Sequence, residues 1–576
     1  MASAAAASTA ARVRSELRVD RSGDWSCSGM ACSSASGKFL IHLIRKGAKA
    51  AHLLPTVYMR STADHLVGTV VLVTSTTSAP VTARSWAALG ILTLAVLLLA
   101  IDGTVLALAV PALSADLNPT ATQLLWIGDI YSFALAGLLV TMGNLADRIG
   151  RKRLLLIGSL GFGLSSLLAA FATSPEMLIA ARAILGISGA TIMPSTLALV
   201  RNIFTDPAQR TRAIAVWAAG ATAGAAVGPI VGGALLEHFH WGSVFLINVP
   251  IMVLVLIGGV FLLPESRDPR GARVDLLSAL SSFVAIVAIV YAIKHVFAEG
   301  FDWSVAVAVL VGVAAGWWFL RRQHRLTRPL IDVSLFRSPA FSGAVMANTV
   351  SIFAFVGLLF FFSQYLQLVR GLNPLQAGLS ELSATVASII VIGLAGFMVG
   401  KLGRGRAISV GLGLGAVGLG VLAFAEGLDG LAGIIIGFAI VGFGAGLAMT
   451  LTTDAVVGAA PRDRAGAASS IAETAYELGA ALGIAVLGSV QLAFYRAHLP
   501  TISNPDIEQS MRESLATGLT QLDRTAPDVA AVIEQAKHAF TVGMQWTSVI
   551  AAVLLIVAAV IAWRSIPSRA ETPVEH

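Results

Sequence analysis

The sequence predicts an all-α integral membrane protein with fourteen spanning helices, and three observations carry the prediction. The 576 residues are 56% hydrophobic and only 12% charged, with a mean hydropathy of +0.81; soluble chains carry about 25% charged residues. Apolar runs of about 20 residues, the length that crosses ~30 Å of hydrocarbon, recur from Trp86 onward. Basic residues collect in alternate connections between those runs.

The runs fall at 86–108, 123–142, 154–173, 177–200, 211–236, 242–263, 275–297 and 303–320, then at 341–367, 375–399, 407–425, 430–452, 464–492 and 541–563. Only a weak polar stretch, Glu299 to Asp302, parts the seventh from the eighth. The basic connections hold Arg148, Arg151, Lys152 and Arg153; Arg201, Arg210 and Arg212; Arg267, Arg270 and Arg273. The series continues with Arg321, Arg322, Arg325, Arg328 and Arg337; Lys401, Arg404 and Arg406; Arg462 and Arg464. Intervening short connections hold almost none, Lys294 and Arg370 being exceptions near span ends. The positive-inside rule then places the basic ends, both termini and the tail 564–576 in the cytoplasm. The long connection 493–540 is expected outside as a helical hairpin, with Asn504-Pro505 starting one helix and Pro527 the second.

Residues 1–83 differ in character. They hold both cysteines, Cys27 and Cys32, and their longest apolar stretch, Leu66 to Val73, is too short to span. This segment is expected to be disordered or an over-called start, with Met59, Val73 or Val81 as natural true starts. Two cysteines give no disulfide framework and no metal set. There is no phosphate-cradling loop, so no ATP chemistry and no cofactor is expected. The net charge of +7 does not indicate nucleic acid, because the basic residues sit in short loops rather than in a patch.

The loop after the second span reads Gly143-Asn144-Leu145-Ala146-Asp147-Arg148-Ile149-Gly150-Arg151-Lys152-Arg153. The fifth span carries Gly220, Gly224, Gly228-Pro229 and Gly232-Gly233; glycines four apart line one face and let helices approach closely. Arg182 precedes Gly186 and Gly189 in the fourth span. The first holds Asp102-Gly103-Thr104-Val105 and Ala109-Val110-Pro111, and the second begins Leu125-Trp126-Ile127-Gly128-Asp129-Ile130-Tyr131. Phe245 to Pro250 and Leu263-Pro264-Glu265-Ser266 extend the pattern. Over residues 86–566 the chain resembles the major facilitator superfamily, and within it the fourteen-span drug:proton antiporters that export quaternary ammonium compounds and dyes. One departure is Ala107, where many members have Asn.

The resemblance implies the major facilitator fold: six-helix bundles at 86–263 and 341–563, with two extra helices at 275–320 between them. It implies that Gly143, Asp147, Arg148, Gly150 and Arg151 form a conformational gate latching the two halves. It gives Gly220, Gly224, Gly228, Pro229, Gly232 and Gly233 the antiporter motif of exporters, and Arg182 a part in proton transfer beside Asp102.

Acids inside a bilayer cost ~3 kcal/mol on insertion scales, so each asks for a purpose. The candidates are Asp102, Asp129, Glu381, Glu473 and Glu477; Asp454 is discounted as interfacial. Glu473 and Glu477, four apart, share a helix face with Tyr476 between them. Their mutual repulsion in low dielectric poises the pair to exchange a proton for a cation. Glu381 either replaces an acid that resembling pumps carry where Ser388 stands, or sits in the outer vestibule. Trp126, Tyr131, Tyr365 and Tyr476 offer cation–π surfaces.

The expected function is proton-coupled efflux of lipophilic cations by a monomer in the bacterial cytoplasmic membrane. Asp102, Arg182 and Asp129 would handle protons. Asp129, Glu473, Glu477, Glu381, Trp126, Tyr131 and Tyr476 would bind substrate. The partners are then a small lipophilic cation, protons and lipid. The rival is an exporter of a neutral or anionic antibiotic or tetracycline-like drug. A nutrient importer and a non-transporting sensor fit the motifs less well.

Overall fold

The computed structural model describes residues 82–267, 275–326, 329–461, 464–502, 505–521 and 527–567, with four short strands ahead of them. The chain divides into two units, Met1–Ala79 and Pro80–His576. In the first, Leu17–Val19 pairs with Trp25–Cys27 and Val57–Tyr58 with Val71–Leu72, both antiparallel. Otherwise the expectation for residues 1–83 falls, as far as residue 81, outside the described residues, as do Arg270, Arg273, Arg328, Arg462, the cap at Asn504 and the tail 568–576.

Fourteen described helices of the second unit are long and apolar enough to cross a membrane. They are α1 (Ala83–Leu117), α2 (Ala121–Ile149), α3 (Arg151–Ala170), α4 (Pro175–Ile203), α5 (Pro207–His238) and α6 (Ser243–Leu262). The extra pair is α7 (Leu276–Glu299) and α8 (Trp303–Gln323). Then come α9 (Pro339–Gln364), α10 (Pro374–Leu402), α11 (Arg404–Ala425), α12 (Ala432–Gly458) and α13 (Ala465–His498). Short α14 (Pro505–Glu513) and α15 (Leu515–Gln521) precede the last span, α16 (Pro527–Ser565).

Local chemistry sets the starts. Ser174, Asp206, Ser338 and Asn373 each accept a backbone N–H three residues on, and a proline follows each at the first helical position. Thr120 and Gln123 form a reciprocal capping box at α2.

The packing repeats between halves. In residues 83–262 the first helix packs on the fifth, the second on the fourth, the third on the fourth, and the sixth on the third and first. In α9 to α13 with α16 the same pairings recur in the same order. The turns recur too: Gly150 (φ +117°) joins α2 to α3, and Gly403 (φ +79°) joins α10 to α11. A positive φ at both sharp turns favours glycine. The halves meet where α2 packs on α13, α5 on α10 and α1 on α9.

Helix α7 lies against both α2 and α13, and α8 packs on α7. Arg322 fastens the pair at its basic end with two 3.0 Å bonds to Asp275, while Gln323 donates to Ser278 at 2.9 Å. Burial opposes the Asp275 charge, but hydrogen bonds from Arg322 and Ser278 outweigh it and hold the carboxyl below its ordinary value.

The connection after α13 departs from the expected hairpin. Pro527 opens the last span itself, not a separate helix. Residues 528–541 contain no Gly or Pro, and buried Ile533, Ala536 and Phe540 recur at helical spacing, so nothing breaks the helix before the apolar run. Helices α14 and α15 fold back over the bundle end. Tyr495 donates to the Met511 carbonyl at 2.8 Å, and Met511, Leu515 and Leu519 are buried.

Candidate transport site

Arg182 stands at the centre of the first six helices. Gly186, one turn on, is what lets it reach: a Cβ there would lie 2.3 Å from the Tyr131 carbonyl oxygen, so α4 and α2 approach as only glycine permits. The guanidinium then donates to the carbonyls of Ile127 (3.1 Å) and Gly128 (3.4 Å) and pairs with Asp102 of α1 at 3.3 Å. Both charged side chains are buried, at 2% and 1% exposure. Asn248 of α6 donates to the other Asp102 oxygen at 2.8 Å and to Ser166 at 3.1 Å. The Tyr131 ring lies 4.9 Å from the guanidinium carbon. One polar cluster thus ties α1, α2, α4 and α6 together. Deleting either side chain would leave its partner's hydrogen bonds unmet in low dielectric, which is strongly destabilising.

Asp129, which follows Gly128 on α2, has a partner that the sequence does not reveal. Lys294 is not a span-end exception. Its Nζ lies 2.7 Å and 2.9 Å from the two Asp129 oxygens, and the pair is 1% and 0% exposed. The same ammonium stands 3.7 Å from the centre of the Trp126 ring. Its side chain is held inside because α7 packs against α2, where a carboxylate waits at matching depth. Tyr365 likewise already carries an internal cation, with Arg370 at 5.4 Å.

Glu473, Tyr476 and Glu477 ride on α13 against α2, all half-buried. Glu477 is hydrogen-bonded by Ser132 of α2. Glu473 lines a cavity of about 450 Å³ at the basic end, with Asn144, Asp147, Arg151, Arg201 and Trp217 from the other half. Carboxylates at the α2/α13 seam therefore begin at this cavity and lead inward toward Asp129 and the Arg182 cluster.

The far end is closed. A Cβ on Gly233 would lie 2.7 Å from the Leu375 Cα, and one on Gly378 2.4 Å from the Pro229 carbonyl oxygen. Gln367, in the turn that follows α9, donates to the Leu108 carbonyl of α1 at 3.0 Å. The glycine face of α5 also presses on α1: Gly220, Gly224, Gly228 and Gly232 leave no room for a Cβ beside Thr93, Leu97, Thr104 and Val105. Open at the basic end and sealed at the other, the molecule holds one access state.

The segment Gly143 to Arg153 is not the expected loop but the last turns of α2, a sharp turn at Gly150 and the start of α3, and it is fastened within its own half. Asp147 pairs with Arg151 at 2.9 Å, Arg151 N–H donates to the Ser266 carbonyl at 2.8 Å, and Lys152 donates to the Val260 and Leu263 carbonyls. Arg148 is exposed. The expected latch between halves is therefore not engaged in this state: Asp147 faces the open cavity instead of the opposite half. Glu381 is buried and hydrogen-bonded by Ser363 of α9. It is not on the cavity with Glu473, and it keeps different company from Ser388, which packs on Gly446 of α12. Asp454 pairs with Arg404 at 2.8 Å on an exposed surface. Sequence reasoning also missed Glu426, buried at the end of α11, where Ser548 donates to it at 2.8 Å. Among the described residues no group of three or more His, Cys, Asp or Glu is placed to hold a metal.

The profile of the Major Facilitator Superfamily matches residues 92–484. The chain belongs to that superfamily. This superfamily member is 47% identical over 492 residues to the multidrug efflux pump LfrA of Mycolicibacterium smegmatis, covering 84% of this chain and 97% of the relative. It is 39% identical over 465 residues to the methyl viologen resistance protein SmvA of Salmonella typhimurium, covering 79% and 93%. A solved bacterial homologue of the human lysosomal transporter Spinster, in an inward-facing and occupied conformation, superposes with a TM-score of 0.57 at 18% identity, over 85% of this chain and 97% of that one. The fold is the major facilitator fold, and the protein is a multi-pass membrane transporter, not an enzyme.

Proposed function

We propose that this transporter is a proton-coupled antiporter that exports lipophilic cations across the bacterial cytoplasmic membrane. Its basic end and both termini face the cytoplasm, so the cavity holding Glu473 is the inner opening. The observation that carries the reading is the line of acids along the α2/α13 seam, from Glu473 at the cavity to Glu477 beside Ser132. Intramembrane acids are costly and mark ion pathways. Relatives named for multidrug efflux and for resistance to methyl viologen, an organic cation, support it.

A cation entering from the inside meets Glu473 and Glu477 first. Protons arriving after the halves rock neutralise the acids and release the cation outward. Asp102 governs the Arg182 cluster: a proton on Asp102 removes the counter-charge of a guanidinium that also holds two α2 carbonyls. Proton loading is thereby coupled to the helix that lines the seam. The membrane potential supplies about 2.3 kcal/mol per inward charge per 100 mV.

Ethidium efflux from cells expressing the chain tests this. Energised efflux should be abolished by a protonophore and by Glu477→Gln. Efflux of neutral or anionic drugs, with none of ethidium despite normal membrane insertion, would replace the cation reading by export of an uncharged or acidic product.

A further inference from the structure

The geometry around Lys294 is that of a cation-recognition site already filled. An ammonium lies over an indole face and between two carboxylate oxygens, at 3.7, 2.7 and 2.9 Å. Aromatic face plus carboxylate is also the chemistry that recognises a quaternary ammonium or phosphonium ion. The ammonium arrives on α7, which belongs to neither six-helix bundle. Beside it, an apolar cleft of about 450 Å³ opens between α2, α7 and α8, lined by Trp126, Phe283, Val287, Tyr291, Trp303 and Val307. Trp126 is common to the cleft and to the ammonium site, so an apolar body in the cleft could present its charge to the same ring.

We propose that Lys294 is an internal stand-in for the transported ion: it occupies a cation site built by Trp126 and Asp129, and a lipophilic monocation takes that site by displacing it. The proposal rests on the cation-export reading above. It gives the extra helix pair a task, namely to carry a tethered competitor that keeps Asp129 paired whenever no substrate is bound. An Asp129 left empty in the bilayer would be a costly lone charge. A site filled most of the time by its own lysine binds ligand more weakly by the fraction of time it is free.

Two experiments with the full-length purified protein and tetraphenylphosphonium test it. Lys294→Met should tighten tetraphenylphosphonium binding by about tenfold, the factor for a site otherwise free a tenth of the time. Lys294→Arg, which keeps the tethered charge, should not tighten it. The unsubstituted chain gives a readout independent of any folding defect. Reductive methylation of Lys294, followed by mass spectrometry, should be slow without ligand and accelerate severalfold with saturating tetraphenylphosphonium. If the chain binds the ion but Lys294→Met does not bind it more tightly, or Lys294 stays equally protected, Lys294 is a structural tether and the proposal falls alone. If neither the chain nor Lys294→Met binds the ion at all, the cation-export reading falls with it.

Discussion

At the scale of single residues, a side chain's surroundings decide its role more than its chemistry does. Asp102 and Asp129 are both carboxylates deep in helices, yet one answers a guanidinium from α4 and the other an ammonium from α7. The first pairing was legible in the sequence, because Arg182 and Asp102 are both too costly to leave alone in a bilayer. The second was not. A lysine five residues from a helix end reads as one that reaches back to the interface. The available signal was depth: Asp129 is eight residues from the start of α2 and Lys294 five from the end of α7, about 12 and 8 Å along helices that share that membrane face. What the sequence does not state is that α7 faces α2. The Arg182 cluster makes a sharp prediction. Asp102→Asn keeps the Asn248 contact but cannot carry charge, so ethidium should still exchange down its gradient in proteoliposomes while uphill, proton-driven efflux is lost. Uphill transport surviving in Asp102→Asn would remove Asp102 from the coupling path. Arg182→Lys keeps the charge but not the planar fork that reaches two carbonyls and a carboxylate, so transport should drop at least about tenfold.

At the scale of elements, the fourteen spans could be read because hydrocarbon thickness fixes their length and loop arginines separate them. The helix after Pro527 was misjudged for a physical reason: a proline marks a helix start but says nothing about where that helix ends. Glycine content was legible as packing, but not which partner each glycine meets. The structure separates two kinds in contacting helices. Gly224 has no space, since a Cβ would come 2.3 Å from the Leu97 carbonyl oxygen, whereas Gly103 has nothing within 4 Å and faces outward. Gly224→Ala should therefore force α5 off α1 at a cost of about 1–3 kcal/mol. Gly103→Ala should be neutral or stabilise by about 0.5–1 kcal/mol. Thermal melting in detergent should show the first variant below the parent and the second at or above it. Equal melting temperatures would mean the α1/α5 seam is slack.

At the scale of the whole molecule, the two halves repeat the same helix pairings, and the cavity at the basic end lies between them. The main helix pairs that join the halves do not behave alike: α5 with α10 is closed by facing glycines at the far end, while α2 with α13 borders the cavity at the basic end. Rocking about this arrangement would open one end as the other closes, which is how a fixed site serves both faces of a membrane. Asp147, paired with Arg151 and facing the open cavity, is then free to meet the opposite half only in the other state. The direction of transport depends on which compartment the basic end faces, and one cysteine decides it. Ser469 lines the cavity on α13. With Cys27 and Cys32 replaced by serine, Ser469→Cys should react with a membrane-impermeant thiol reagent in inverted vesicles but not in intact cells. Tetraphenylphosphonium in the cavity should slow that reaction. Labelling from outside intact cells would turn the molecule over and make the described state an outward-open one, so that the acids at Glu473 would receive substrate from the opposite side.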